Sequence, residues 1–163
     1  MGLDIKGARI WTGAKTAQIE GLTNVAFLRT RVDFINSFFT GNEVDEIWIT
    51  FPDPQEKRRR LKKRLPGANF LNMYRAFLKD GGRIHLKTDN LQLYIDTMEL
   101  IRFNDLPLEQ YSTDVYNEGW SDEVVSIQTY YEQTFLAEGT KINYIRFRLP
   151  AGKKIREFSN DSE

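Results

Sequence analysis

A carboxylate fixed between two prolines and followed by a dense run of cations is where this chain's residue types could do chemistry. Phe51-Pro52-Asp53-Pro54-Gln55-Glu56-Lys57 runs directly into Arg58, Arg59, Arg60, Leu61, Lys62, Lys63 and Arg64. Each proline disfavours helix at the residue before it, so Phe51 and Asp53 are pushed extended and the aim of the Asp53 carboxylate is restricted. A carboxylate so held can accept hydrogen bonds from the N–H donors of a ligand or a base edge. Of the eight residues from 57 to 64 only Leu61 is uncharged. A run of that density can neutralise several phosphates and release their counterions, which makes binding salt dependent. Taken alone, the run also fits a solvated, self-repelling surface loop; the adjoining Pro-Asp-Pro favours a built site.

Whole-chain charge conceals this polarity, because 23 Lys plus Arg are balanced by 23 Asp plus Glu. The absence of cysteine removes disulfides, thiolate metal sites and thiol nucleophiles, and with them methyl transfer to pyrimidine C5 through a cysteine adduct. The single histidine, His85, lies in the strand-like run Arg83-Ile84-His85-Leu86-Lys87, which argues against a multi-histidine metal site or a Ser-His-Asp triad. At 163 residues with 40% hydrophobic and 13% aromatic content, the chain can build one core rather than two domains. There is no run of about 18 apolar residues and no signal-peptide pattern at the start, so a soluble, cytoplasmic protein without metal or membrane attachment is expected.

The elements that must position Asp53 alternate between helix and strand. Residues 8–19 read as a helix closed by Gly21, and residues 25–28 as a short apolar strand. Phe34, Ile35, Phe38 and Phe39 fit one face of a helix, and residues 47–51 read as a strand. Phe70, Leu71, Tyr74, Phe77 and Leu78 recur at helical spacing, with Asp80-Gly81-Gly82 as the stop. Residues 84–88 form the next strand, and Leu91, Tyr94, Ile95 and Met98 give another helical stripe. Ser121, Asp122 and Glu123 supply the cap and first turn of a helix through Phe135. Residues 142–149 are the last strand, with Ile145, Phe147 and Leu149 on one face. This alternation predicts an α/β sheet with helices on both faces over residues 1–149, followed by a loose polar tail over residues 150–163.

Ligands of such sheets gather at the carboxyl ends of the strands, and Asp53 and Asp89 each follow a predicted strand, so they should share a crevice. A turn or helix-capping aspartate is the plain alternative for either one. Gly2-Leu3-Asp4-Ile5 reads as the end of the second strand of a nucleotide-binding fold, where an acid accepts hydrogen bonds from ribose hydroxyls. The glycine-rich loop of that fold lies about 20 residues before the acid, which here would precede Met1, and no G-x-G-x-x-G follows.

These residues resemble the bacterial tRNA (guanine-N7-)-methyltransferases. The resemblance rests on Phe51-Pro52-Asp53-Pro54 with Lys57 and the cationic run, then Phe70-Leu71 and Leu78 before Gly81-Gly82. Thr88-Asp89 and Thr129-Tyr130-Tyr131-Glu132, with Phe135 and Gly139, follow in the family's order. It covers residues 2–149. One departure is Gln55, where the family usually has tryptophan; this weakens any stacking role at that position and leaves the carboxylate.

The resemblance implies a Rossmann-like class I S-adenosylmethionine-dependent methyltransferase sheet that lacks the family's first strand and glycine-rich donor loop. A fragment, a truncated product or a degenerate member is therefore expected, with sheet edges needing cover. It further implies S-adenosylmethionine as methyl donor, tRNA as partner and N7 of a variable-loop guanine as acceptor, in a monomer or homodimer. By resemblance Asp53 is catalytic, and Asp4, Thr30 and Asp53 hold the donor. Lys57, Asp89, Thr129, Tyr130, Tyr131 and Glu132 bind the target nucleotide, while Arg59, Arg60, Leu61, Lys62, Lys63 and Arg64 lie along the tRNA backbone. A non-catalytic RNA-binding module that kept the cationic loop and lost the donor site is the competing expectation.

Overall fold

The computed structural model describes residues 1–157, which divide into two compact units, residues 1–40 and residues 41 onward. In the first unit, strand β1 (Gly2–Asp4), helix α1 (Gly7–Ile19) and strand β2 (Phe27–Arg29) make a β-α-β element whose strands pair in parallel, Asp4 opposite Arg29. Gly21, at φ +68°, turns the chain after α1 as the sequence predicts. A Cβ on Gly13 would lie 2.7 Å from the Phe27 ring, so glycine is what lets α1 lie against β2. The stretch containing Phe34 and Ile35 is a 3-10 helix, Val32–Ser37, capped by Phe38, in which Ile35 alone is buried. Six residues held by i→i+3 bonds are too few to propagate an α-helix with a continuous apolar face.

The second unit carries a four-stranded sheet. Strand β3 (Val44–Thr50) leads through a 3-10 helix (Arg58–Lys63) and helix α2 (Ala68–Tyr74) into the long strand β4 (Leu78–Thr88). Helix α3 (Leu91–Phe103), strand β5 (Leu108–Ser112), the short helices α4 (Glu123–Ser126) and α5 (Tyr130–Ala137), and strand β6 (Asn143–Leu149) follow. The order across the sheet is β3-β4-β6-β5, with β3 and β4 parallel and β6 antiparallel to both β4 and β5. Ile84 and Leu86 point to one face of β4, and His85 and Lys87 to the other; all four are buried. Helix α3 packs on β4 and β6, burying Leu93, Tyr94, Met98 and Ile101 while Leu91 and Ile95 of the expected stripe stay exposed. On the His85 face, Val115, Val124, Ile142 and Tyr144 form a further core cluster against Phe51, Trp120 and Phe135.

Three sequence expectations are corrected here. Helix α2 stops at Tyr74, and Gly81-Gly82 make a bulge inside β4 instead of closing a helix: pairing jumps from Val44–Leu78 to Glu46–Arg83. Gly81 has φ +68°, and a Cβ on Gly82 would sit 2.6 Å from Leu78 Cγ. A left-handed glycine serves a helix end or a bulge equally well, so local composition could not separate them. The single helix expected from Ser121 to Phe135 is two, because Asp122 caps the first and Thr129 starts the second with its own side chain. Through residue 156 the tail is docked. Asn72 accepts from Ile155 N–H (2.9 Å) and donates to Ile155 C=O (2.8 Å), and Asn104 does the same for Arg156 (2.8 and 2.9 Å). The rest of the expected loose tail, residues 158–163, lies outside the described residues.

His85 occupies a strand position as expected, and its surroundings set a pH dependence. Its ring stacks on Trp48 at 3.9 Å and 10°, and Nδ1 shares a 2.7 Å hydrogen bond with Tyr144 Oη. Burial pushes its pKa down to about 4; the nearby Glu46 carboxylate opposes the shift, while Arg146 and Arg83 add to it. Folded His85 therefore stays neutral between pH 6.5 and 4 while the unfolded chain takes up a proton, so this group makes stability fall as pH drops through that window. Urea unfolding at stepped pH should show that decline, and His85→Gln should flatten it; an unchanged slope in the variant would assign the dependence elsewhere.

Candidate active site and cationic loop

The turn after β3 is built by unusual backbone. Phe51 N–H donates to Lys87 C=O (2.8 Å), extending the β3–β4 ladder by one bond, and then Phe51 (φ +48°), expected to be extended before Pro52, and Gln55 (φ +49°) take left-handed conformations. Non-glycine residues hold that conformation only where their surroundings fix it. One device here is Asp53 itself, whose Oδ1 accepts from Gln55 N–H (2.9 Å), closing an Asx turn. Asp53 is exposed, and its Oδ2 has no partner among the described residues. The other device is Arg64, whose Nε–H donates to Pro54 C=O (2.9 Å).

Lys57 and the 3-10 helix Arg58–Lys63 stand between these points, exposed throughout. Arg59, Arg60, Lys62 and Lys63 present their charges to solvent, with Leu61 partly exposed among them. Arg64 departs from this group and from its expected part in phosphate binding. Its side chain is 12% exposed and is committed to Pro54 and, through Nη1, to Asp96 of α3.

The end of β4 lies beside this turn. Thr88 is buried, its C=O accepting from Asn143 Nδ2 (3.0 Å) and its Oγ1 from Asn90 N–H (3.1 Å). Asn90 caps α3 by accepting from Leu93 N–H (2.8 Å), and its Nδ2 reaches Glu56 Oε1 (3.3 Å), tying the two loops together. Asp89, between them, is half-buried, and its carboxylate has no partner among the described residues. Asp53 and Asp89 thus follow neighbouring parallel strands at one end of the sheet, although neither lines the cleft beside Lys87 and Glu132.

Thr129, Tyr130, Tyr131 and Glu132 form the N-terminus of α5. Thr129 and Glu132 make a capping box, Oγ1 accepting from Glu132 N–H and Oε2 from Thr129 N–H, both at 3.2 Å. Glu132 is 0% exposed and pairs with Lys87 of β4, itself 2% exposed; Oε1 also accepts from Tyr116 Oη (2.7 Å). Burial, reinforced by this carboxylate, pushes the Tyr116 phenol pKa up, which keeps it a donor. Lys87 donates in addition to Val124 C=O. Lys87, Glu132, Thr129, Thr50 and Trp48 are among the residues lining a cleft of about 420 Å³. Tyr130 is 78% exposed and edge-on to Tyr131 at 5.8 Å. Lys87 went unassigned in the sequence, although a lysine in a strand buried on both faces demands a carboxylate partner.

In the first unit, Asp4 stands at the carboxyl end of β1, accepting from Lys6 N–H (2.8 Å) and Arg9 (3.1 Å). Thr30 follows β2 directly and, by the pairing of Asp4 with Arg29, stands at the same end. Among the described residues, no group of three His, Cys, Asp or Glu could hold a metal ion, and no helix is long and apolar enough to cross a membrane.

The fold is that of class I S-adenosylmethionine-dependent methyltransferases. TrmN from Thermus thermophilus superposes with TM-score 0.57 at 19% identity, over 90% of this chain and 35% of that one. A methyltransferase homologue from Pyrococcus horikoshii gives 0.57 at 15% identity, over 90% and 52%. Residues 1–145 match the family model described as "Putative methyltransferase". Among curated proteins, the chain is 51% identical over 150 residues to the tRNA (guanine-N(7)-)-methyltransferase of Porphyromonas gingivalis, covering 91% of this chain and 61% of that one. It is 46% identical over 157 residues to the same enzyme of Bacteroides thetaiotaomicron (96% and 62%) and 48% identical over 150 residues to that of Christiangramia forsetii (91% and 67%). The chain belongs to the tRNA (guanine-N(7)-)-methyltransferase family. It spans about three fifths of the length of the first two of these relatives.

The buried pair makes a sharp energetic statement. Lys87→Met and Glu132→Gln should each lower the unfolding free energy by about 3–5 kcal/mol, since each leaves one buried group uncompensated. The double variant should lose clearly less than the sum of the two, read from urea midpoints; strict additivity would show that the two side chains are not coupled.

Proposed function

We propose that this protein transfers the methyl group of S-adenosylmethionine to N7 of a variable-loop guanine in tRNA, acting in the cytoplasm as a monomer or homodimer. The observation that carries this reading is the seating of Asp53 and Asp89 at the carboxyl ends of the adjacent strands β3 and β4, with the cationic 3-10 helix leading directly from the first. Relatives 46–51% identical to this chain carry tRNA guanine-N7 methyl transfer in their names, which supports the reading.

Donor chemistry suits the residues present. A ribose diol offers two O–H donors, and Asp4 keeps acceptor capacity after taking Lys6 N–H and Arg9, because a carboxylate has about four lone-pair sites. Thr30 and Asp53 complete the proposed donor contacts. When bound, S-adenosylmethionine supplies a methyl carbon made electrophilic by its sulfonium. Guanine N7 carries an exposed lone pair and loses no proton on attack, so the protein needs no strong general base; positioning and exclusion of water are its tasks.

Asp53 is the proposed catalytic residue, its free Oδ2 accepting an N–H of the reacting groups and so fixing the line of approach. Lys57 and Asp89 orient the target nucleotide. Of the α5 group, Tyr130 and Tyr131 offer rings on which an unstacked base can lie, whereas Thr129 and Glu132 act from beneath, through the cap and the Lys87 pair that hold those rings in place. Arg59, Arg60, Lys62 and Lys63 neutralise phosphates, with Leu61 between them giving an apolar contact.

Transfer of labelled methyl to unmodified tRNA, with N7-methylguanosine identified in the digest, tests the reaction; bound tRNA with no product would overturn it. Asp53→Ala should lower turnover at least about 100-fold, a plausible loss for a misplaced reaction, with tRNA affinity kept within about threefold; full activity would remove Asp53 from its role. Reversing the charges of Arg59, Arg60, Lys62 and Lys63 should weaken tRNA binding and lower the slope of log affinity against log salt by about 3. Unchanged affinity would place the tRNA elsewhere.

A further inference from the structure

Arg64 closes the cationic run in sequence but is built unlike its neighbours. It alone among residues 57–64 is largely withdrawn from solvent, and its guanidinium bridges two elements. Nε–H reaches Pro54 C=O at 2.9 Å, within the turn that carries Asp53, and Nη1 pairs with Asp96 Oδ2 on α3. The other oxygen of Asp96 is held by Gln92 Nε2 (2.7 Å), so the anchor on α3 is itself fixed. Glu56, two residues beyond Pro54, is tied to the cap of the same helix through Asn90 (3.3 Å).

We propose that Arg64 is a positioning residue for Asp53, a latch that transmits the seating of tRNA on the cationic helix to the carboxylate at the site of transfer; this rests on the methyltransferase reading given above. Lys57 and the 3-10 helix form a segment closed at both ends, by Glu56 at its start and Arg64 at its finish. The Arg64 end is fastened to the main chain between Asp53 and Gln55. A phosphate backbone drawn onto Arg59, Arg60, Lys62 and Lys63 therefore settles a segment whose far anchor is the turn of Asp53. The latch needs the planar fork of arginine, since one donor must reach the Pro54 carbonyl while another pairs with Asp96. An ammonium presents its charge at a single point and cannot span both.

The test compares Arg64→Lys, Asp96→Ala and Lys63→Ala in the full chain, measuring tRNA affinity at two salt concentrations, kcat and KM for methyl transfer, melting temperature, and amide exchange at Gln55. Arg64→Lys and Asp96→Ala should each lower kcat at least about tenfold with KM for tRNA unchanged, as small misplacements of a reacting group do. They should keep tRNA affinity within about twofold with the same salt slope, leave melting within a few degrees, and speed exchange of the Gln55 amide. Lys63→Ala should weaken tRNA binding and lower the salt slope. If Arg64→Lys instead behaves like Lys63→Ala with kcat intact, Arg64 is one more phosphate contact and the latch is overturned. An unchanged kcat together with unchanged exchange overturns it as well. Should the unaltered protein transfer no methyl, the activity reading falls by itself, and Gln55 exchange in Arg64→Lys still decides the latch: faster exchange supports it, and the same rate refutes it.

Discussion

The pairing of Lys87 with Glu132 is the interaction on which the site depends. Lys87 lies in a strand buried on both faces, where an unpaired ammonium would not be tolerated. Its partner gathers three donors onto one carboxylate: the ammonium, the Tyr116 hydroxyl and the backbone N–H of Thr129. By also reaching Val124 C=O, Lys87 fastens the short helices α4 and α5 to the end of β4. A hydrophobic pair of the same volume could fill the space. It could not dictate the rotation of α5, and hence the direction of Tyr130 and Tyr131, as a carboxylate with fixed lone pairs does.

The turn of Asp53 follows the same logic at smaller scale. Left-handed residues stand in this turn without glycine, and it is held by a hydrogen bond accepted by Asp53 and one donated by Arg64. Gln55 enters that turn through its backbone N–H, so the position can change side chain without losing the geometry that aims Asp53. The departure from tryptophan at this position thus bears on packing around the turn and leaves its construction intact.

The sequence disclosed what depends on local chemistry. Pro-Asp-Pro marked the turn, the strands at residues 47–51 and 84–88 placed Asp53 and Asp89 at one sheet end, and Gly21 closed α1. Long-range pairing escaped it. The bulge at Gly81-Gly82 shares its glycine signature with a helix stop, and the break between α4 and α5 turns on whether Thr129 caps or continues. The part played by Arg64 depends on Asp96, 32 residues away, which no local pattern ties to it. Strand β5 is short and carries Glu109 and Gln110, so it offered no alternation to read.

Asn72 and Asn104 each pair with the chain end as a neighbouring strand would, one amide giving and taking one hydrogen bond. An amide can do both only while it remains an amide. Deamidation, the slow hydrolysis to aspartate, would turn each donor into a negative oxygen facing the carbonyl of Ile155 or Arg156. The seam would then open from repulsion as well as from loss of a bond, exposing the buried Ile155 side chain. The closure of this seam thus hangs on the amide nitrogens of two residues, one inside α2 and one buried at the end of α3.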